Sequence, residues 1–148
     1  MPESRIALCR AEKKDRPYIE EKLKKYILDA TNIDWQQFFV LRKAGKTVAF
    51  GRVVDHGRYF ELASLGVDYY HRGKGLGLRM LSFLIEQARQ LDCNKPIYGV
   101  THRPGFLEKA GFKEAEACPE DLEYKRNYIC KLDASKIKIM KYYARTAR

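Results

Sequence analysis

Apolar residues recur at helical spacing in two segments of the chain. In the first, from Glu12 to Asp29, they fall on one face of a helix, which predicts an amphipathic helix with that face toward the core. Asp15 is placed to cap this helix, and Pro17 falls in its first turn, where a missing N–H is tolerated. The apolar positions of this segment are Ile19, Leu23, Tyr26, Ile27 and Ala30.

The second helical segment follows a glycine-rich stretch and ends at Leu91. Its apolar positions are Leu78, Leu81, Leu84, Ile85 and Ala88. A short helix is predicted from Pro104 to Ala110, because Gly111 is a typical residue just past a helix end.

Short apolar runs bounded by turn residues predict the strands. Ala44-Gly45 lies between two of these runs and signals a hairpin. His56-Gly57 marks the turn before the next strand. The predicted strands comprise residues 5–9, 38–41, 47–50, 59–67, 97–101 and 127–132.

The order of these elements is strand, helix, three antiparallel strands, helix, strand, helix, strand. Such an order predicts an α+β fold with a mixed sheet. The length of 148 residues suits a single domain. We place the domain at residues 1–135 and treat residues 136–148 as a basic C-terminal extension.

The extension carries an apolar stripe at helical spacing with lysines around it. This pattern predicts a helix docked on the domain or on a second subunit of a homodimer. The alternative is a nucleic-acid contact, because basic residues interleaved with tyrosines suit phosphate contact and base stacking. The stripe consists of Ile137, Ile139, Met140 and Tyr143.

Charge narrows the range of partners without choosing among them. The chain has 29 basic and 19 acidic residues, a net charge of +10, which favours anionic ligands or surfaces. Its four cysteines form no C-x-x-C pair, so no metal site is predicted. No apolar stretch approaches the about 18 residues of a membrane span, and the N-terminal segment has no apolar signal region. We therefore expect a cytoplasmic protein with free thiols.

A basic, glycine-rich loop from His71 to Gly77 joins a predicted strand to a predicted helix. The first N–H groups of a helix have no acceptor within it, and the helix dipole adds positive potential there. Glycines let the backbone approach phosphate oxygens closely, and Arg72 and Lys74 add charge. The loop thus predicts a pyrophosphate site, with an ordinary solvated turn as the alternative. Its G-x-G-x-G spacing fits neither a P-loop nor a dinucleotide fingerprint.

The segment from Glu61 to Gly77 closely resembles the acetyl-CoA signature of GNAT acetyltransferases. Arg72, Gly75 and Gly77 match the family's loop, which has Gln or Arg, two residues, Gly, one residue, and Gly or Ala. Further on, Phe106 to Phe112 is similar to the family's closing helix and its E-K-x-G-F turn. The resemblance implies a GNAT-type sheet that is mostly antiparallel, splayed and flanked by helices.

The resemblance also implies acetyl-CoA as co-substrate. Backbone groups of Leu65 and Val67 would pair with the pantetheine arm. An N–H near Gly66 or Val67 would face the thioester oxygen, where negative charge grows during attack. The CoA pyrophosphate would be held by the backbone amides of Arg72, Gly73, Lys74, Gly75, Leu76 and Gly77.

Glu61 is the candidate general base. A protonated amine with a pKa of about 10.4 is a poor nucleophile at neutral pH, and a carboxylate beside it can take its proton. Strand alternation puts Glu61, Leu65 and Val67 on one face, although a bulge would shift this. Several GNAT enzymes resemble this sequence in having Glu at that position. The alternative is an edge-strand Glu in water or in a salt bridge.

Other residues of the site receive weaker assignments. Leu107 stands where many GNAT enzymes carry a Tyr that protonates the leaving thiolate. His71 is interpreted as a phosphate neighbour or an exposed residue, and His102 as a secondary candidate at the acceptor site.

Two sequence runs, E-L-A-S-L-G-V and T-H-R-P-G-F-L-E-K-A-G-F, resemble the N-acetylglutamate-synthase-like group of the family. That group acts on amino acids or related small amines, so the expected partner is a small-molecule amine. The alternatives are a protein lysine or N-terminal acetyltransferase, and a CoA-sensing or nucleic-acid-binding module.

Overall fold

The computed structural model describes residues 5–129 and 134–144. Within these ranges, seven strands form one sheet in the order β1-β2-β3-β4-β5-β7-β6. The strands are β1 (Ile6–Arg10), β2 (Phe38–Lys43), β3 (Lys46–Asp55), β4 (Phe60–Val67), β5 (Ile97–Thr101), β6 (Phe112–Glu114) and β7 (Lys138–Tyr142). The helices are α1 (Arg16–Lys25), α2 (Leu76–Leu91), α3 (Pro104–Glu108) and α4 (Glu120–Tyr124), and a π-helical turn, Lys125–Ile129, follows α4.

Neighbouring described strands are antiparallel except for β4 and β5, which are parallel. The predicted α+β fold with a mixed, mostly antiparallel sheet is therefore confirmed. The antiparallel strands β2 to β4 and the helix after the glycine loop lie where the apolar pattern predicts them, although β3 continues to Asp55, beyond the predicted end at residue 50.

Both faces of the sheet are buried, each under different helices. The apolar stripe of α2, including Met80 and Leu84, packs on one face against residues such as Phe39 and Leu41. On the other face α1 packs through Ile19 and Leu23 against Phe38, Val40 and Phe50. Leu122 of α4 covers a separate part of that face with Tyr59, Tyr98 and Ile139. Because successive strand residues point to opposite faces, runs such as Phe38 to Leu41 are apolar throughout.

Helix α1 is shorter than the apolar pattern predicts. It begins at Arg16, with Pro17 in its first turn, and ends at Lys25. Asp15 precedes it but makes no side-chain capping bond to it. The Asp15 carboxylate instead accepts hydrogen bonds from Arg42 Nη2 and Thr47 Oγ1, both at 2.6 Å. The predicted cap is therefore wrong, because the Asp15 carboxylate is bonded to Arg42 on β2 and Thr47 on β3 and not to the first turn of α1.

The C-terminal region corrects two predictions. A strand was predicted over residues 127–132, but Lys125–Ile129 form the π-helical turn and residues 130–133 lie outside the described residues. A docked helix was predicted over residues 136–148, but Lys138–Tyr142 form β7, which pairs with both β5 and β6. The domain therefore extends beyond residue 135. Ile137 and Ile139 have the spacing of a strand, whereas Ile139 and Tyr143 have that of a helix. Pairing with β5 and β6 decides for the strand.

Core burial of β7 can be tested with Met140, which is 1% exposed. Met140→Ala should lower the free energy of unfolding by about 2–5 kcal/mol, because it leaves a cavity in a packed core. Lys138, on the same strand, is the control: its side chain is 44% exposed and lies 3.6 Å from Glu114. Lys138→Ala should cost less than about 1 kcal/mol. Urea unfolding measures both, and equal small effects would contradict a core position for β7.

Candidate active site

Strands β4 and β5 separate in the middle of the sheet. They pair over only three positions, from Phe60 with Ile97 to Leu62 with Gly99. Beyond Leu62, β4 continues to Val67 with no described strand on that side. The open edge of a strand offers N–H and C=O groups to an extended ligand. The opening thus lies beside Leu65 and Val67, the residues predicted to pair with a pantetheine arm.

A β-bulge at Ser64 changes which face the β4 side chains occupy. The register with β3 shifts there, and Ser64 has a φ of 57°. As a result Leu65 and Val67 pack on the α2 side, whereas Glu61 lies on the face covered by α1 and α4. The expectation that these three side chains share a face is therefore wrong.

Buried hydrogen bonds hold the bulge in its strained conformation. Ser64 Oγ accepts from Arg52 Nε at 2.9 Å and donates to the Asp29 carbonyl at 2.5 Å. A non-glycine residue keeps a positive φ only where its surroundings over-determine it. These bonds also join β4 to the loop after α1.

The glycine loop connects the end of β4 to the start of α2. Gly73 and Gly75 both have φ of 78°, in the left-handed region that favours glycine. A Cβ at either position would meet nothing within 4 Å, so the backbone there is open to a ligand. Packing is tight at Gly77, since a Cβ there would lie 3.3 Å from Phe106 Cζ. The N–H groups of the first α2 turn, which have no acceptor within the helix, lie at the same end of the loop.

Arg72 braces this loop. Its Nε donates to the Val67 carbonyl at 3.0 Å, and its guanidinium lies 4.5 Å from the centroid of the Tyr26 ring. His71 Nδ1 lies 3.0 Å from Asp68 Oδ2, which accepts a hydrogen bond from it, whereas Lys74 is exposed. The Arg72 charge thus lies against Val67 at the end of β4 and against Tyr26, the residue after α1.

Glu61 is 4% exposed, and both its carboxylate oxygens have partners. Oε1 lies 2.9 Å from His56 Nε2, and Oε2 accepts a hydrogen bond from Lys125 Nζ. Burial alone would raise the pKa of Glu61, but the His56 hydrogen bond and the Lys125 charge outweigh it and lower that pKa. The carboxylate is therefore ionised at neutral pH. Glu61 is not an edge residue in water, although it does form a salt bridge.

Lys125 joins Glu61 to a second carboxylate. Its Nζ donates to Asp29 Oδ2 at 2.7 Å, and Arg52 Nη2 donates to the same oxygen at 3.1 Å. Burial would raise the pKa of Asp29, but chiefly the charge of Lys125 lowers it to about 2. Burial would lower the pKa of Lys125, but the two carboxylates raise it. We call the residues His56, Glu61, Lys125, Asp29 and Arg52 the charge chain.

Comparison with known proteins identifies the family. A model described as "Acetyltransferase (GNAT) domain" matches residues 34–114, more than half of the chain. The chain belongs to the GNAT family of N-acetyltransferases. No curated protein compared with the chain matches it significantly.

Solved structures share the GNAT fold over nearly the whole chain. N-acetylglutamate synthase from Neisseria gonorrhoeae, complexed with coenzyme A and N-acetyl-glutamate, has a TM-score of 0.74 at 16% identity, over 95% of this chain and 35% of its own. Rv2747 from Mycobacterium tuberculosis, in complex with CoA, has a TM-score of 0.73 at 22% identity, over 93% and 99%. ElaA from Escherichia coli has a TM-score of 0.69 at 13% identity, over 95% and 99%. The chain spans about a third of the length of the N-acetylglutamate synthase chains.

The charge chain contains residues that the motif did not indicate. Asp29 fell inside a predicted helix, His56 was assigned only to a turn, and Lys125 belonged to no motif. Each lies in a loop or irregular turn, where periodicity carries no signal. The residue types alone offered a clue for His56, five residues before Glu61 in a hairpin.

The position of the Tyr found in many GNAT enzymes supplies no acid here. Leu107 of α3 is buried, and its Cδ1 would lie 3.0 Å from a Cβ at Gly99 of β5. Tyr98 is in register with Glu61, and burial raises its pKa. Burial also raises the pKa of Tyr59, to about 12. Both phenols are thus weak acids at neutral pH.

His102 is exposed after the end of β5. In the described ranges, no cluster of three or more His, Cys, Asp or Glu side chains is arranged to bind a metal ion. No helix there has the length and apolar character needed to cross a bilayer.

Lys125→Met tests the electrostatic balance of the charge chain. It leaves Asp29 and Glu61 buried without their shared cation, which should cost about 3–5 kcal/mol of unfolding free energy at pH 7. The folded pKa of Asp29 is lowered from 3.8 to about 2. Its contribution to wild-type stability is therefore complete above about pH 4 and is lost as pH falls toward 2. Wild type and variant should converge as pH falls from 7 to 3.

Urea unfolding at several pH values measures this difference. The control is Lys22→Met, because Lys22 is as buried but lies 3.7 Å from its carboxylate partner Asp68. It should cost less than Lys125→Met at pH 7. A Lys125→Met penalty that stays constant down to pH 3 would contradict the assigned ion pairing.

Proposed function

We propose that the protein transfers an acetyl group from acetyl-CoA to the primary amine of an amino acid or related small molecule, with Glu61 as general base. One observation carries the proposal: β4 separates from β5 between buried Glu61 and the glycine loop. An extended arm paired with β4 there would have its pyrophosphate at the start of α2 and its reactive end toward Glu61. The solved GNAT structures containing CoA from Neisseria gonorrhoeae and Mycobacterium tuberculosis support this choice of co-substrate.

Backbone geometry argues against Gly66 as the donor to the thioester oxygen. The Asp68 N–H donates to the Val48 carbonyl on β3 at 2.8 Å. Because N–H directions alternate along a strand, the Gly66 N–H also faces β3 and the Val67 N–H faces the opening. The Leu65 N–H faces the opening as well. The Val67 N–H would pair with the pantetheine arm, and the Leu65 N–H, which is nearer to Glu61 along β4, would face the thioester oxygen. Amides of Arg72 to Gly77 would hold the pyrophosphate.

A carboxylate and a backbone N–H group of this chain would act on the reacting atoms. Glu61 would take the proton of the acceptor's ammonium group, directly or through water, a role worth about 10²–10⁴-fold in rate. The Leu65 N–H would donate to the thioester oxygen as negative charge grows on it. The leaving thiolate needs no strong acid, because its thiol has a pKa of about 8.5.

The structure sets a condition on this reaction. His56 and Lys125 occupy the two Glu61 oxygens. An external amine would therefore bind Glu61 in the place that Lys125 holds.

Gly75→Gln tests the cofactor site. Wild type should melt at a higher temperature with acetyl-CoA, since a ligand at 100 times its Kd stabilises by about 2.7 kcal/mol. Gly75→Gln should abolish this shift, because a side chain at the left-handed loop position strains the anion site and covers it. Thermal melting with and without acetyl-CoA is the measurement.

Gly45→Gln is the matched control. Gly45 has a φ of 77° and open space at its Cβ, but it lies in the β2–β3 turn. It should lose as much intrinsic stability as Gly75→Gln and keep the full acetyl-CoA shift. A full shift in Gly75→Gln would place the pyrophosphate elsewhere.

Glu61→Gln tests the base. Acetylation of a panel of amino acids and polyamines, followed by thiol release, should slow by about 10²-fold at pH 7. The loss should shrink toward pH 10, because an amine with a pKa of about 10.4 is then substantially deprotonated. Glu20→Gln, an exposed change on α1, should match wild type. An equal loss at every pH in folded Glu61→Gln would reject general-base catalysis.

A further inference from the structure

One primary amine of the chain already contacts Glu61. Lys125 Nζ donates to Glu61 Oε2 and, at 2.7 Å, to Asp29 Oδ2. The Lys125 side chain is only 12% exposed, although lysines are mostly found at the surface. This amine is therefore held beside the proposed base and largely shielded from water.

The backbone around Lys125 fixes that position. Lys125 is the first residue of the π-helical turn, immediately after α4. Leu122, one turn earlier, is buried against Tyr59, Tyr98 and Ile139 and anchors α4 on the sheet. π-Helical turns are rare and are found frequently at functional sites. The fold thus delivers the Lys125 amine to Glu61 from a packed helix.

Glu61 is also close to the opening in the sheet. It is in register with Tyr98, one position before the last β4–β5 pair, Leu62 with Gly99. A general base must lie within hydrogen-bond reach of the proton it removes, and the Lys125 ammonium meets that condition with Glu61. We propose that Lys125 is a self-acetylation site, the first amine to receive an acetyl group from acetyl-CoA bound in the β4–β5 opening. This inference rests on the proposed function.

The step balances without any further reactant. Glu61 takes one proton from the Lys125 ammonium, and the freed Nζ electron pair forms a C–N bond to the thioester carbon. The C–S bond breaks, and the sulfur leaves with its electron pair and takes up the second proton lost by the nitrogen. Glu61 returns its proton to solvent. The products are Nζ-acetylated Lys125, the free thiol of CoA and one proton, and nothing is oxidised or reduced.

Acetylation would change the site in a defined way. The amide carries no charge, so Glu61 loses the cation that lowers its pKa, while its burial remains. Its pKa then rises toward that of a better base, with His56 still bonded to Oε1. The acetylated nitrogen also no longer competes with an external ammonium for Oε2. Self-acetylation would thus convert the closed site into one open to acceptors.

Peptide mass spectrometry of the wild-type protein, sampled over time with acetyl-CoA, tests the inference. Lys22 is an internal control, since its side chain is 11% exposed and ion-paired, like that of Lys125, but it pairs with Asp68 and Glu21. We expect up to one acetyl group per chain, on Lys125, at least about tenfold faster than on Lys22. Acetic anhydride, which needs no binding site, should show no such preference. Excess CoA should suppress the reaction with acetyl-CoA only.

Two variants complete the test. Glu61→Gln should slow acetylation of Lys125 by about 10²-fold, the lower range for a lost general base. Lys125→Arg keeps the positive charge without an acetylatable amine and should show no mass gain. An unmodified Lys125 in wild type that binds acetyl-CoA and acetylates panel amines would overturn the inference and leave the proposed function standing. If acetyl-CoA neither stabilises the protein nor supports transfer, both fail. Lys125 acetylation at the wild-type rate in Glu61→Gln would also overturn the inference.

Discussion

Strands β4 and β5 separate within the sheet, and backbone groups of both lose their partners there. The arrangement of the other strands limits the number of these unpaired groups. An unpaired buried N–H or C=O costs about 1–3 kcal/mol. Strand β4 is held by β3 along its length, and β5 is held on its other side by β7. The separation therefore stays confined to one short edge, where a ligand or water can satisfy the free groups. The strand that pairs with β5 on its other side, Lys138–Tyr142, comes from the predicted C-terminal extension.

The apolar clusters under the helices differ between the two faces of the sheet. On the face carrying Glu61, α1 and α4 cover separate apolar clusters, one around Phe38 and the other around Tyr59. The charge chain lies on the same face. Its Asp29 belongs to the loop after α1, and its Lys125 belongs to the turn after α4. On the opposite face a single cluster packs under α2. The glycine loop thus lies between the end of β4 at the opening and the start of α2, the helix that packs on this core.

The charge chain is costly to bury, and burial alone gives no reason to keep it. Well-packed apolar side chains of similar volume are often as stabilising as a buried ion pair, or more so. Ionisable groups with shifted pKa values are frequent at functional sites, because the chemistry there needs them in a particular protonation state. Asp29, Glu61 and Lys125 hold one another in their charged forms, so the loss of one would change the proton affinity of the other two.

Local rules were sufficient for much of this protein. The helical stripe of α2, the strands β2 to β4 and the glycine loop all follow from spacing and from the conformational freedom of Gly73 and Gly75, so the sequence alone determined the family, the fold class and the position of the glycine loop. Tertiary structure decided the rest. Lys125 meets Asp29 across 96 residues and Glu61 across 64, and no local pattern selects it among 29 basic side chains. The bulge at Ser64 likewise depends on distant partners, Arg52 and Asp29. The strand at Lys138–Tyr142 depends on pairing with β5, because the local spacing of apolar residues does not by itself choose between a strand and a helix.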